Sequence, residues 1–164
     1  MKKILTILGA IFICLILVGV IAISGLYYYF SGLNKESKAY VDEVIPMIVT
    51  SWNSKELINR VSPEFLQVVS AEKIGLLFST LSEQIGPLKD YKGSTGKAKV
   101  TITPKGKVIA ANYLAKAVFE KAPAKIEIQT ILLDNKWQIE GFRVTLDADV
   151  LYKEKIPKPI YKFK

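Results

Sequence analysis

The segment KWQIEGFRVTL, residues 136–146, contains two pairs of bulky apolar residues that fall on opposite faces of a regular strand. Trp137 and Ile139 occupy odd positions, whereas Phe142 and Val144 occupy even positions. Successive side chains of a strand point to opposite sides of the sheet, so a flat strand can bury only one of the two pairs. The segment therefore predicts either a half-exposed apolar strand or a break in the alternation.

We expect a break at Gly141. One extra residue near this glycine lets Trp137, Ile139, Phe142 and Val144 all face a common core. Such an insertion is a β-bulge, which bends its strand and increases the local twist. The prediction is a curled sheet that wraps around a helix and leaves a cone-shaped hollow.

Three earlier segments also alternate between apolar and polar residues, at 97–103, 107–120 and 125–133. The turn sequences between the four segments are short, and the last is the hairpin-type turn DNK. Short connections predict that each strand pairs antiparallel with the next, as a meander. The preceding GSTGK, residues 93–97, lacks the spacing of a phosphate-binding loop and is predicted to be a flexible loop before the first strand.

Helical signals fill the region before these strands. Asn34 or Ser37 is a candidate cap for a first helix, in which Pro46 predicts a kink or an early break. Ser54 is a candidate cap for a second helix, and Ser62 for a third. Two sets of apolar residues have the spacing of a single helix face: Val41, Val44, Ile45, Ile48 and Trp52; and Ile74, Leu77, Phe78, Leu81 and Ile85. Gly86-Pro87 predicts the end of the helix that contains the second set.

The amino-terminal run Ile4–Phe30 contains no charged residue and exceeds the roughly 20 apolar residues that a membrane-spanning helix needs. Tyrosines and a phenylalanine end it, as at a headgroup boundary. We predict an uncleaved anchor over residues 1–32; a cleaved signal segment with a site at Ala22–Ser24 is the alternative. A short amino terminus and a long following domain favour a single-pass protein of the cell membrane with its domain outside the cytoplasm, periplasmic in a Gram-negative cell.

Residues 33–148 are the predicted domain, and residues 149–164 form a lysine-rich tail. All 15 acidic residues lie beyond residue 30 with 21 of the 23 basic ones, a net charge of +6. Only two of those basic residues are arginines, which argues against nucleic-acid recognition. Anionic lipid or a cell-wall polymer is the predicted use of this charge.

Helices followed by strands indicate an α+β fold: a transmembrane helix, then helices packed on a curled four-stranded antiparallel sheet. A tryptophan near the end of the first helix, SPEFLQVVS, IGPLKDYKG and the closing KWQIEGFRV resemble the cystatin-like or nuclear-transport-factor-two-like α+β rolls. The resemblance is strongest to exported bacterial members of unknown function, and it covers about residues 38–146. It implies a roll that serves in ligand binding, isomerisation, dehydration or assembly, so fold alone does not give the activity.

The chain has no histidine, and its one cysteine, Cys14, lies in the membrane run. These absences exclude imidazole-based catalysis and argue against the common transition-metal sites, so we predict no cofactor and no enzyme. The predicted role is binding or assembly, with a homodimer or an envelope protein on the outer sheet face. Its predicted residues are Asn112, Lys116, Gln129 and Gln138.

A small-ligand pocket is the alternative, or a metal-free isomerase or lyase of the same roll class. Its ligand-binding residues would be Tyr113, Thr130 and Trp52. In an enzyme, Tyr40 or Asp42 on the first helix would handle the proton, because no acidic residue falls on an inward strand position.

Overall fold

The architecture comes from a computed structural model, which describes residues 2–104 and 106–147, with side chains from Phe12 onward. Four helices precede four strands, and the strands form one antiparallel sheet in the order β1-β2-β3-β4. The predicted α+β fold with a four-stranded meander is confirmed. The elements are α1 Lys2–Val49, α2 Ser54–Ile58, α3 Pro63–Val68, α4 Ala71–Ile85, β1 Leu88–Thr103, β2 Gly106–Phe119, β3 Pro123–Leu133 and β4 Lys136–Leu146.

The chain divides into two units, Met1–Glu36 and Ser37–Lys164, and α1 contributes to both. The first unit is helical and apolar, and α1 is long and apolar enough to cross a membrane. The predicted start of a separate helix at Asn34 or Ser37 is wrong, since α1 continues through both positions. The hydroxyl of Ser37 is instead buried, 2.9 Å from the hydroxyl of Tyr113, so it is not used as a cap.

Pro46 does not break α1, which ends one turn later at Val49. Proline lacks the N–H that would bond to the carbonyl of Asp42, so it weakens the helix without ending it. The N–H of Thr50 still donates to the carbonyl of Pro46 at 3.0 Å. The chain then reverses at Trp52, whose φ of +49° lies in the left-handed region.

Side-chain caps begin the three short helices. The predicted caps at Ser62 and at Gly86-Pro87 are confirmed: the hydroxyl of Ser62 accepts from the N–H of Phe65 at 3.2 Å, and Gly86 ends α4 with φ of +76°. The predicted cap at Ser54 is wrong by one residue. Asn53 caps α2 instead, because its side-chain oxygen accepts from the N–H of Lys55.

The strands follow the predicted meander with one correction at the start. The prediction of a loop over residues 93–97 is wrong, because β1 begins at Leu88 and includes them. β1 accommodates the extra length with register shifts between Leu88 and Asp90 and between Tyr91 and Ser94. The hairpin turn DNK is confirmed: Asp134 and Asn135 both have positive φ, as a two-residue type I′ turn requires.

The predicted bulge in β4 is present. Gly141 pairs with Gln129, whereas Ile139 pairs with the next residue of β3, Thr130, so Glu140 is the inserted residue. Ile139 is fully buried, Trp137 and Phe142 are half-buried, and Glu140 is exposed. The ring of Phe142 lies 6.1 Å from that of Phe78 on α4, so residues on both sides of the bulge reach the core. The predicted cone-shaped hollow of a roll stays a prediction.

The core lies between α1, α4 and the inner face of the sheet. Trp52 stacks on Phe119 of β2 with ring centroids 5.2 Å apart and meets Phe78 edge-on at 5.6 Å. The α1 stripe is buried as predicted, but Leu77 of α4 is 49% exposed and does not belong to the buried stripe. The inward residues of β2 are all buried: Ile109, Ala111, Tyr113, Ala115, Ala117 and Phe119. The tail 149–164 lies outside the described residues.

Close approach of β1 and β2 requires a glycine at residue 96. A Cβ at Gly96 would collide with the backbone carbonyl of Asn112 and would lie 2.8 Å from the Cα of Tyr113. Both obstacles are backbone atoms of a central strand, which cannot move without disturbing its pairing. Gly75, in the middle of α4, has nothing within 4 Å of such a Cβ.

We therefore expect Gly96→Ala to lower the free energy of unfolding by about 2 kcal/mol or more, as overpacking does. Gly75→Ala is the matched control and should raise it by about 1 kcal/mol, because alanine is the better helix former. Chemical denaturation of the full chain in detergent measures both. Equal effects of the two substitutions would contradict the close approach.

Candidate functional site

The outer face of the sheet is the surface opposite α1 and α4, and the strand register places its residues in rows. One row contains Lys97, Asn112, Gln129 and Gly141, one residue from each strand. The next row contains Thr95, Leu114, Glu127 and Arg143. Asn112, Glu127 and Gln129 are all exposed, so the centre of the face is open to solvent.

Charged side chains of this face are partly paired across strands. Arg143 lies 3.6 Å from Glu127, and Lys125 donates to Asp147 at 3.1 Å. Lys116 stands directly opposite Lys125, so two like charges face each other. Exposed pairs contribute about 0.2–1 kcal/mol each, so they tune the charge of the surface more than they hold the sheet together.

Two shallow depressions meet at the centre of the outer face, and both include Glu127 and Gln129. One extends toward β1 over Thr95 and Leu114. The other extends over β4 to α3 and is lined by Phe65, Gly141, Phe142 and Arg143. A Cβ at Gly141 would lie 3.2 Å from Oε1 of Gln129, so the absence of a side chain there leaves room for Gln129.

The strand register places all four predicted partner residues on the outer face. Asn112 pairs with Gln129, and Lys116 lies four residues further along the same face of β2. All three are exposed. Gln138 pairs with Ile131, in the row next to Gln129 on the same face, but it is half-buried, and its Oε1 is buried without a hydrogen-bond partner.

The three predicted ligand-binding residues lie in the core, and each has a polar partner there. The indole N–H of Trp52 donates to the carbonyl of Gly86 at 2.8 Å. The hydroxyl of Thr130 donates to the carbonyl of Ala111 at 3.4 Å, and that of Tyr113 meets Ser37. A ligand at these positions would have to compete with existing hydrogen bonds.

Asp42, the candidate proton acceptor, ties α1 to β1. Its carboxylate accepts from the hydroxyl of Tyr91 at 2.7 Å and from the N–H and hydroxyl of Ser94 at 3.0 and 2.6 Å. Lys38, one turn earlier on α1, donates to its other oxygen. The bulge between Tyr91 and Ser94 aims both residues at the same carboxylate.

These hydrogen bonds change the pKa values of Asp42 and Tyr91. Burial raises the pKa of Asp42, but the hydrogen bonds from Lys38, Ser94 and Tyr91 outweigh it and hold that pKa below its ordinary value. Burial and then the bond to Asp42 raise the pKa of Tyr91. A carboxylate with a lowered pKa is a weak base, so this geometry suits a structural link better than proton abstraction.

Two further unpaired polar atoms belong to Tyr40 on α1 and to Trp137 near the start of β4. The hydroxyl of Tyr40 and the indole N–H of Trp137 are buried with no hydrogen-bond partner. Burial raises the pKa of the Tyr40 hydroxyl above its ordinary value, and the nearby charge of Arg60 offsets part of this increase. The carbonyl of Arg60 accepts from the N–H of Ile139 at 2.8 Å, so Arg60 neighbours both Tyr40 and the strand that carries Trp137.

Sequence reasoning missed the contribution of β1 and of Arg143 to the outer face. Lys97 and Lys99 pair with Asn112 and Ala110 and extend the face to the sheet edge. The prediction of a loop over residues 93–97 hid Thr95, whereas Lys97 and Lys99 lay in the predicted strand 97–103 but were not assigned to the outer face. A usable signal was the composition of 91–119, which has six lysines and no acidic residue.

No protein-family model, curated protein or solved structure matched the chain. The resemblance to cystatin-like rolls therefore stays a prediction.

The Asp42 link predicts a specific acid sensitivity. Because the folded pKa of Asp42 lies below the unfolded one, its contribution to stability is complete above about pH 5 and is lost as the pH falls below 3.8 through the folded pKa. Asp42→Asn should cost about 2 kcal/mol of unfolding free energy at pH 7, as expected for hydrogen bonds to a charged group. The difference between the wild type and this variant should shrink at acid pH.

Asp90→Asn is the control, because the Asp90 carboxylate is half exposed and pairs only with Lys92 among the ion pairs of the described residues. It should cost less than about 1 kcal/mol at any pH. Denaturation curves across the pH range measure all three proteins. A constant difference between wild type and Asp42→Asn would contradict the lowered pKa.

Proposed function

We propose that this chain is a single-pass membrane protein whose α+β domain, outside the cytoplasm, binds a protein partner through the outer sheet face and performs no catalysis. The partner is a second copy or another envelope protein. The anchor is the apolar first unit, which α1 makes long enough to cross a bilayer. The cystatin-like roll is part of the same proposal.

One observation carries the proposal: the centre of the outer face is open and has two adjoining depressions around Glu127 and Gln129. Mixed polar and apolar groups line them, with Leu114 beside Asn112 on β2 and Phe65 beside Arg143. Interfaces of non-obligate partners have this mixture, with apolar contacts surrounded by polar groups. The interior, by contrast, uses its polar groups at Trp52, Thr130 and Tyr113 internally.

The test is photo-crosslinking of the full chain in its own membranes. A photo-reactive residue at Gln129 or Asn112 should give a discrete adduct of defined mass, whereas one at exposed Glu72 of α4 should not. An adduct of two chains identifies a homodimer, and any other mass an envelope partner. Equal labelling at residues 129 and 72 would contradict the proposal.

A pair of charge reversals sharpens this test. Lys116→Glu changes the outer face, and Lys73→Glu makes the same change on α4. We expect Lys116→Glu to weaken the adduct at residue 129 by about fivefold or more, equivalent to about 1 kcal/mol. Lys73→Glu should leave it unchanged. An adduct insensitive to Lys116→Glu would show that the captured protein does not dock on this face.

The unpaired buried atoms of Tyr40 and Trp137 favour a small polar ligand as a second candidate function. Buried donors and acceptors without partners are rare in folded proteins, and an ordered water or a bound polar molecule can satisfy them. Native mass spectrometry of the full chain should then detect a small molecule that Trp137→Phe removes. Tyr113→Phe is the control. If this variant loses the ligand and Trp137→Phe keeps it, the ligand binds in the core near Tyr113 instead. If the chain purified from its own cells carries no small molecule, this candidate function is wrong.

A further inference from the structure

The β1–β2 hairpin extends past the rest of the sheet. β3 pairs with β2 only from Ala110 onward, so residues 106–109 pair with β1 alone. We call residues 99–104 and 106–108 the hairpin tip. Ile102, on the inner side of the tip, is 87% exposed, and Val108, on the outer side, is 36% exposed. Apolar side chains therefore project from both sides of a two-stranded ribbon.

The charge around these side chains has one sign. Over Tyr91–Phe119 the sequence contains six lysines and neither aspartate nor glutamate. Lys99 and Lys107 lie in the tip, and both are exposed. Exposed apolar residues flanked only by lysines match the surface of an anionic bilayer, which offers negative headgroups above an apolar layer.

The tip also lies at the end of the domain where the chain enters. Ser37, the first residue of the second unit, meets Tyr113 in the middle of β2, and Asp42 meets Tyr91 and Ser94 further from the tip. Within this unit α1 therefore runs away from the tip. Seven strand residues separate Tyr113 from Gly106, a length of about 23 Å.

A short segment, which we call the tether, links the uncharged run to the second unit, and its length is limited in any arrangement of the two units. Ser37 follows Phe30, the last residue of the uncharged run, by seven residues, which span at most about 25 Å when fully extended. The tether is therefore short enough for the tip to reach the headgroups when the domain turns that way. Lysine attraction to anionic lipid acts over a Debye length of about 8 Å, so this confinement matters for binding.

We propose that the hairpin tip is a second membrane contact, at which Ile102 and Val108 insert among anionic lipid headgroups and Lys99 and Lys107 hold the tip there. This inference rests on the proposed anchor. The contact restricts how the domain can turn on its tether and leaves the outer sheet face in a defined direction for its partner.

The test uses the full chain reconstituted in vesicles of phosphatidylcholine, alone or mixed with phosphatidylglycerol, with brominated lipids as quenchers. An environment-sensitive fluorophore is attached to Thr101→Cys in a Cys14→Ala background. A label on native Cys14 reports the anchor, and a label on Leu76→Cys, on exposed α4, is the negative control. We expect quenching at residue 101 in anionic vesicles only, at Cys14 in both, and at residue 76 in neither.

Matched charge variants test the electrostatic basis. Lys99→Gln with Lys107→Gln should weaken the lipid contact by about fivefold for each lysine removed, and high salt should also weaken it. Lys55→Gln with Lys73→Gln removes the same charge from exposed helical positions and should change nothing. Quenching that persists when the tip lysines are neutralised would overturn the proposal.

The remaining outcomes separate the inference from the proposed function. A quenched Cys14 label with an unquenched label at residue 101 would overturn the hairpin contact and leave the anchor standing. An unquenched Cys14 label would overturn the anchor, and the hairpin contact with it. If the label at residue 101 responds to a soluble phosphate-backbone polymer but not to vesicles, the tip binds a wall polymer and the proposed lipid contact is wrong.

Discussion

The alternation of side chains along a strand is the constraint on which this domain depends, and both edge strands interrupt it. In β4, Glu140 is inserted between Ile139 and Gly141, so apolar residues before and after it reach one core. In β1, register shifts place Tyr91 and Ser94 on the side that faces α1. Without these bulges, half of each edge strand would turn its inward residues to solvent.

The same interruptions give the two faces different surroundings. Inside, the bulge of β1 lets two residues converge on the Asp42 carboxylate, which fastens the sheet to the helix that continues from the apolar first unit. Outside, Gly141 next to the β4 bulge leaves space in which Gln129 and its neighbours form an open surface. Hydrogen bonding to α1 on one face and accessibility on the other are compatible with the proposed binding surface.

The interior also explains why the proposal favours binding over catalysis. Trp52, Thr130 and Tyr113 all have hydrogen-bond partners within the protein, and Asp42 is held as a carboxylate by three side chains. Groups that act as bases in catalysis need a pKa raised toward the working pH. Among the described residues, the unpaired buried atoms of Tyr40, Trp137 and Gln138 are the places that still offer a hydrogen bond.

Sequence alone determined the elements whose signals are local: the apolar run, the serine cap of α3, the glycine that ends α4, the DNK turn and the change of parity at Gly141. It also located the outer-face residues Asn112, Lys116 and Gln129, because alternation within one strand assigns a face. Only the tertiary structure decided the continuation of α1 through Asn34 and Ser37, since a buried partner, Tyr113, occupies the hydroxyl that would cap a new helix. Likewise, residues 93–97 contain two glycines and look like a loop, but pairing with β2 and the donor groups offered to Asp42 make them part of a strand. Contacts between residues distant in sequence override local preference there, and no local pattern encodes them.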